Sequence, residues 1–343
     1  MKNKRILVSF AVLLLAALAC VSSSTPVATE APLVQPPTLV PVIPSSTSVP
    51  TAASTSIPHL DIPNELPAER SSFAGDQDSF ITSAEKRAPG GDRFTFGRFE
   101  RPFNTDPMDV YYPHLDIQED TVYRDAEWIY VVIVLKGGDA DRKLSGKYGM
   151  EIDSDLDGRG DWLITVFQPA TKEWTTDGVE LWFDTNNDVG GSVSVTADDL
   201  GRGNGYETKL FDRGFGNDAD LAWARLSPQQ PYTVQLAVKA SLIGNSQAFM
   251  VGVWAGGDTL DPALFDLNDH FTQEQAGSSL VEFEFYYPIK AIAEIDNACR
   301  VAVGFQPSGG EPGLCPLDSG GCLPSEMVCV DTIYGPNCFC PNK

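Results

Sequence analysis

The chain has 343 residues, with 24 basic and 47 acidic side chains and a formal net charge of -23. That length allows one large domain or two, and the charge argues against nucleic acid and against electrostatic docking on anionic lipid. Three histidines, His59, His114 and His270, leave little material for transition-metal or triad chemistry.

Met1 to Cys20 reads as a secretion leader: a basic start, an almost wholly apolar run from Ile6 to Leu18, then small residues. The run is too short to span a bilayer. Its removal up to Ala19 takes away Lys2, Lys4 and Arg5 and no acid, which deepens the charge from -23 to -26. Ala17-Leu18-Ala19-Cys20 resembles the lipobox of bacterial lipoproteins, which implies a lipidated Cys20 as the new N-terminus. An ordinary leader cut near Ala19 is the alternative. Seven cysteines are an odd number for a secreted chain, and lipidating Cys20 leaves six, all between Cys299 and Cys340. The expected place is the cell envelope, outside the cytoplasm, with the membrane as a partner through the lipid anchor.

Val21 to Pro58 holds 8 Pro and 14 Ser or Thr, with Glu30 its only charge. Such a composition cannot bury a core. In polyproline form it would reach about 110 Å, a stalk that lifts a domain clear of the envelope.

From His59 to Asp296 the pattern is all-β. Trp128 to Leu135, WIYVVIVL, is wholly apolar and mostly β-branched or aromatic, which predicts a central strand covered on both faces. Further strands are expected at Arg93 to Phe99, Lys147 to Ile152, Trp162 to Phe167, Gly178 to Phe183, Tyr232 to Lys239, Ala248 to Ala255 and Leu280 to Tyr287. Val234 to Lys239 and Val281 to Phe285 alternate, so each should show one face to water. Short helical turns are expected near Ala197 to Leu200 and Ser241 to Gly244. Many strands, long acidic loops and no βαβ rhythm predict an antiparallel β-sandwich, jelly-roll-like in kind.

Between two of these strands runs EIDSDLDGRGDWLI, Glu151 to Ile164. Asp153, Asp155, Asp157 and Asp161 stand at relative positions 1, 3, 5 and 9, with Gly158 at position 6 where such loops turn sharply. Like charges at about 4 Å cost roughly 4 kcal/mol each at an effective dielectric near 20. A hard dication with oxygen ligands removes that cost, and Ca²⁺ takes 6–8 of them. Position 12 is Ile164, where a helix–loop–helix site needs a bidentate Glu. The spacing D-x-D-x-D-G-x-x-D instead resembles the calcium hairpin loops of integrin α chains. That resemblance implies Asp153, Asp155, Asp157 and Asp161 as side-chain ligands and Arg159 as a carbonyl ligand. Arg159-Gly160-Asp161 also spells RGD, but inside the metal loop, so adhesion through it is not expected.

A second acidic loop follows the strand ending at Phe183. Asp184, Asn186 and Asp188 at i, i+2 and i+4 can share a cation, or form an Asx-rich turn without one. If the two loops lie side by side, Asp177, Glu180 or Asp184 could supply the ligand missing at Ile164.

The order of elements resembles DOMON and family-nine carbohydrate-binding-module sandwiches, through Tyr130-Val131-Val132-Ile133, the D-G-V-E-L-W-F-D segment at Asp177 to Asp184, and V-Q-L-A-V-K followed by Ser241-Leu242-Ile243-Gly244. The resemblance implies a sandwich that binds haem or sugar. Met108, Met150, His114 and His270 have no spacing that favours haem. Trp162, Trp174, Trp182, Trp223 and Trp254 are candidates for a sugar platform, against a core role.

From 297 to 343 a short disulfide-rich tail is expected. Cys299, Cys315, Cys322, Cys329, Cys338 and Cys340 are separated by 15, 6, 6, 8 and 1 residues, with little apolar material between. Cys338-Phe-Cys340 after Tyr334-Gly-Pro resembles EGF-like modules, without their last Cys. No G-x-S-x-G, H-E-x-x-H or S-x-x-K pattern is present. The reading is therefore a surface-anchored, Ca²⁺-binding β-sandwich lipoprotein that works by non-enzymatic binding or adhesion, with a polysaccharide or surface protein as partner. The alternatives are a secreted hydrolase using acidic pairs on the same scaffold and a display protein without ligand.

Overall fold

The apolar run at Trp128–Leu135 forms a strand, and its burial explains why no polar residue interrupts it. A computed structural model describes residues 57–84, 94, 97–105, 110–190, 203–257, 260–265, 267–277, 289–308, 311, 313–315, 328–332 and 335–339. Among them the chain is almost all strand, arranged in antiparallel sheets. The leader and all of the linker but Ile57 and Pro58 lie outside the described residues.

In chain order the strands are β1 (Ser72–Gly75), β2 (Glu100–Arg101), β3 (Ile117–Arg124), β4 (Trp128–Leu135), β5 (Lys147–Asp153), β6 (Trp162–Phe167), β7 (Val179–Phe183) and β8 (Thr208–Asp212). There follow β9 (Phe215–Gly216), β10 (Ala222–Leu226), β11 (Thr233–Lys239), β12 (Phe249–Gly256), β13 (Ile295–Asn297), β14 (Val301–Val303), β15 (Val328–Thr332) and β16 (Gly335–Phe339). One sheet has the order β1-β3-β4-β11-β10, which places β4 at its centre. The second runs β2-β13-β12-β5-β6-β7-β8-β9, with β14 also paired to β12. The turn expected near Ser241 is a 3-10 helix at Ala240–Ile243, closed by Gly244 at φ 61°.

The two sheets pack face to face through alternate residues. Ile129, Val131 and Ile133 of β4 meet Tyr148, Met150 and Ile152 of β5 and Val251 and Val253 of β12 in one continuous core. That is the expected sandwich. Much of each outer face is covered, while the β8–β9 edge is exposed. On the first sheet Trp128, Tyr130, Trp223 and Ala237 form an aromatic layer against which Leu66 and Trp174 pack. The chain from His59 to Leu66 is tied over this layer. Asp220 accepts from the main-chain N–H of Leu60 and Asp61, Arg225 donates to Glu65, and Trp174 Nε1 donates to the Asn64 carbonyl.

This cover corrects the expectation that Val234 to Lys239 shows one face to water. Gln235 and Ala237 are buried, and Gln235 satisfies its amide oxygen with Arg225 Nε at 2.7 Å. On the second sheet, Leu163 and Trp254 are covered by Phe99, Leu260, Phe265 and Ile292. Trp223 and Trp254 are therefore core residues, and neither forms a sugar platform.

The structure carries the sandwich past the expected boundary at Asp296. β13 and β14 both pair with β12, and Ala298, Cys299, Val301 and Cys315 lie in the main core. Cys299 and Cys315 form a disulfide, so this part of the Cys-rich segment is stitched to the sheet. Cys329 and Cys338 stand opposite each other in the β15–β16 hairpin, while Cys322 and Cys340 lie outside the described residues. So do Leu280 to Tyr287 and Ala197 to Leu200. No strand forms among the described residues of Arg93 to Phe99, where Phe94 lies in a 3-10 turn; β2, two residues long, begins only at Glu100, and Arg93, Thr95 and Phe96 lie outside the described residues.

Ile133→Ala at the middle of β4, where the side chain is fully buried, should cost about 2–5 kcal/mol. Urea unfolding checks this as a lower midpoint at unchanged slope, and a wild-type midpoint would contradict the placement of β4.

Candidate metal centre

β5 and β6 pair in register, with Ile152 opposite Trp162, so the acidic stretch is the loop of a hairpin, as its flanking strands require. Its turn is set by Asp153. Asp153 Oδ1 accepts from Leu156 N at 2.7 Å and Oδ2 from Gly158 N at 2.9 Å. Leu156 takes a left-handed φ of 68° and Gly158 one of 91°, the second of which explains glycine at that position. Asp161 Oδ2 accepts from the main chain and hydroxyl of Ser154, which folds the far end of the loop back on the near end. As a result Asp153, Asp155 and Asp161 each bring an oxygen to within 4.8 Å of the others. These three carboxylates could hold a metal ion.

The second loop repeats this construction. Asp184 Oδ1 accepts from Asn187 N at 2.8 Å and Oδ2 from Val189 N at 2.9 Å, the same i+3 and i+5 bonds that Asp153 makes. Asn187 has the same left-handed turn, φ 58°. The two loops lie side by side. Asp184 N donates to the Asp161 carbonyl at 3.0 Å, Gly160 N to the Val189 carbonyl at 2.9 Å, and Arg159 Nη1 to the Gly190 carbonyl at 2.7 Å. Asn187 Nδ2 completes the seam on Asp157 Oδ2 at 2.9 Å.

The remaining expected ligands are placed otherwise. Asp157 spends its carboxylate on Arg159 N and Asn187. Asp184 accepts main-chain N–H groups just as Asp153 does but lies outside the three-carboxylate group, and the amide of Asn186 donates to Asp188 and Asn204. Glu180 is held by Lys209 and Trp182, and Ile164 lies in the main core. The structure thus assembles Asp153, Asp155 and Asp161, while Asp157, Asp184, Asn186 and Asp188 stand outside that group.

Sequence reading missed what lies behind the loop. Arg300 Nη1 donates to the Gly158 carbonyl at 2.6 Å, and Nη2 to Glu151 Oε1 at 2.9 Å. Tyr206 Oη and Trp254 Nε1 donate to the two oxygens of the same Glu151. This buried network fixes the back of the turn. A Cβ on Gly160 would stand 2.0 Å from Tyr206 Oη and 2.1 Å from Glu151 Oε1, so only glycine fits between loop and network. A cavity of about 100 Å³ lies behind it, lined by Glu151, Trp254 and Arg300 among others. The only sequence signal was an acid, Glu151, inside an otherwise apolar strand.

Burial raises the Asp153 carboxyl to about 6, although Arg300 and the amides of Gly158 and Leu156 pull it down. Asp161 is raised by burial against its bonds to Ser154, and Asp184 by burial against Val189 and Asn187. Burial also pushes Asp157 up, but the Asn187 amide and Arg159 outweigh it, and that carboxyl is lowered. Comparison of the chain with protein-family models, curated proteins and solved structures gives no match.

For Asp153 and Asp161 the folded chain binds protons more tightly than the unfolded one. Stability of metal-free protein should therefore fall as pH rises from about 4 to about 6. Asp157, lowered, acts below that window. Scanning calorimetry in EDTA should give a higher Tm at pH 5 than at pH 7, with the trend flattened by excess divalent cation. A Tm that climbs with pH in EDTA would contradict the arrangement.

Proposed function

We propose that the chain is a Ca²⁺-binding β-sandwich displayed on a cell surface, acting by binding or adhesion and not by catalysis. The observation that carries this reading is the convergence of Asp153, Asp155 and Asp161 at a hairpin whose turn is built by their own hydrogen bonds. An all-oxygen donor set selects a hard cation, and an irregular loop suits the variable coordination of Ca²⁺ better than the near-ideal octahedron that Mg²⁺ demands. Water and the Arg159 carbonyl would complete the shell. Recruiting Asp157 requires breaking its bond to Asn187.

A polysaccharide is the ligand we favour. Trp162 and Phe183 face each other across β6 and β7 with ring centroids 4.4 Å apart, both half-buried. Trp162 follows Asp161 and Phe183 precedes Asp184, so this aromatic pair adjoins both acidic loops. Trp162 also packs against the main core, so the solvent side of this half-buried pair, beside oxygen-rich loops, is what would meet a sugar and its hydroxyls. The DOMON and family-nine likeness of the segments around β4, β7 and β11 supports the same choice. The lipobox-like leader and the Pro/Ser/Thr run support an envelope anchor at Cys20 with a stalk between.

EDTA should lower Tm by roughly 5–10 °C for a site with calcium near 100 times Kd, and Asp155→Ala should remove the part of that difference that belongs to the hairpin site. Equal melting temperatures with and without calcium would remove the reading. On a glycan array, binding should need calcium and be lost in Trp162→Ala; an array that stays blank favours a protein partner or none. In cell fractionation, Cys20→Ser should move the chain from membranes to the soluble fraction, and unchanged fractionation would discard the anchor.

A further inference from the structure

A second group of carboxylates lies at the other end of β12. Asp153 faces Met250 at one end of that strand, and Asp296 faces Ala255 near the other, about 17 Å away along the strand. Asp296 on β13 stands directly opposite Glu100 on β2, a like-charge pairing that ordinarily destabilises a sheet. Asp76, just after β1 of the other sheet, comes against the same two. One oxygen of each of Asp76, Glu100 and Asp296 lies within 4.8 Å of the others.

Glu100 and Asp296 are inside the protein, and Asp76 is half-buried with its Oδ2 covered. Asp296 is 0% exposed and Glu100 3%. Some of their polar needs are met: Ser79 Oγ donates to Glu100 Oε2 at 3.1 Å, Ile117 N to Asp296 Oδ2 at 2.7 Å, and Gln77 N to Asp76 Oδ1 at 3.0 Å. Others are not. Asp296 Oδ1 and Asp76 Oδ2 have no hydrogen-bond partner, and neither oxygen of the buried Asp120, which acts on Asp76, has one. Asp116, pairing with Tyr111 and Gln118, adds a further carboxylate that acts on Glu100 and Asp296. The cations in range are Arg98 for Asp76 and Lys136 for Asp116, and the Nε of Arg98 is itself buried without a partner.

Buried carboxylate oxygens in proteins are paired, protonated or bound to metal. We propose that Asp76, Glu100 and Asp296 form a second site for a hard divalent cation of the calcium class, which staples the end of β1 in one sheet to the β2–β13 edge of the other. The buried, unpartnered oxygens of Asp76 and Asp296 call for a ligand beside the cluster, and the all-carboxylate donor set selects the cation. A shared proton is the competing account, since burial and the neighbouring acids push Glu100, Asp296 and Asp120 well above the ordinary carboxylate range.

The test is calcium alone, titrated calorimetrically into EDTA-stripped full-length chain, with metal content measured by elemental analysis. Wild type should bind two ions per chain, Asp155→Asn one and Asp296→Asn one. Asp296→Asn changes a fully buried side chain, so Asp155→Asn decides the matter with the buried group intact. An Asp155→Asn chain that binds no calcium overturns this site and supports proton sharing, as does an Asp296→Asn chain that still binds two. One ion in wild type, kept in Asp155→Asn and lost in Asp296→Asn, would instead sink the hairpin site and leave this one standing.

Discussion

Negative charge crowded at the ends of strands is the constraint on which this structure depends. The protein answers it first with its own main chain. Asp153 and Asp184 each turn both oxygens onto N–H groups three and five residues ahead, so each acid organises the turn that carries the next. A hydrogen-bonded carboxylate is still charged, however, and the loops are docked on each other. Arg300 stands behind them as a buried counter-charge, touching Gly158 and Glu151 and lying 3.6 Å from Asp153. A single cation there does not reach Asp155 and Asp161, and the three carboxylates could hold a metal ion.

The sandwich places this charge where it can act. The central part of each outer sheet face is covered by the chain itself, the first by the segment from His59 to Leu66 and the second by residues that include Phe99, Leu260 and Phe265. The hairpin loops project from an end of the second sheet, beside the half-buried rings of Trp162 and Phe183. Recognition at loops carried by a rigid two-sheet scaffold is a common division of labour: the sheets fix geometry and the loops carry chemistry. The disulfide between Cys299 and Cys315 belongs to the scaffold, because both residues sit in the main core.

Much of this was legible from local patterns. The continuous apolar run of β4, the apolar, β-prone flanks that became β5 and β6, and the spacing of aspartates around Gly158 all act within a few residues. Strand β3, with the sequence IQEDTVYR, was missed because Glu119 and Asp120 break its apolar pattern. Its identity comes from pairing with β1 and β4. Strand β10, AWARL, was missed for a related reason: Arg225 reads as a solvent-facing residue until Gln235 and Glu65 are seen to hold it.

The amino-acid order by itself determined an all-β chain and a dense acidic turn, since apolar β-branched runs and Asx–Gly turns are decided by residues next to one another. It did not decide which of the eight candidate metal ligands would meet, nor that Asp76, Glu100 and Asp296 would. Those depend on which strands become neighbours. Arg300 reaches Gly158 from 142 residues away and Glu151 from 149, and Asp296 finds Glu100 only because β13 pairs with β2. Electrostatic pairing acts through space, so only the closed sandwich settles it.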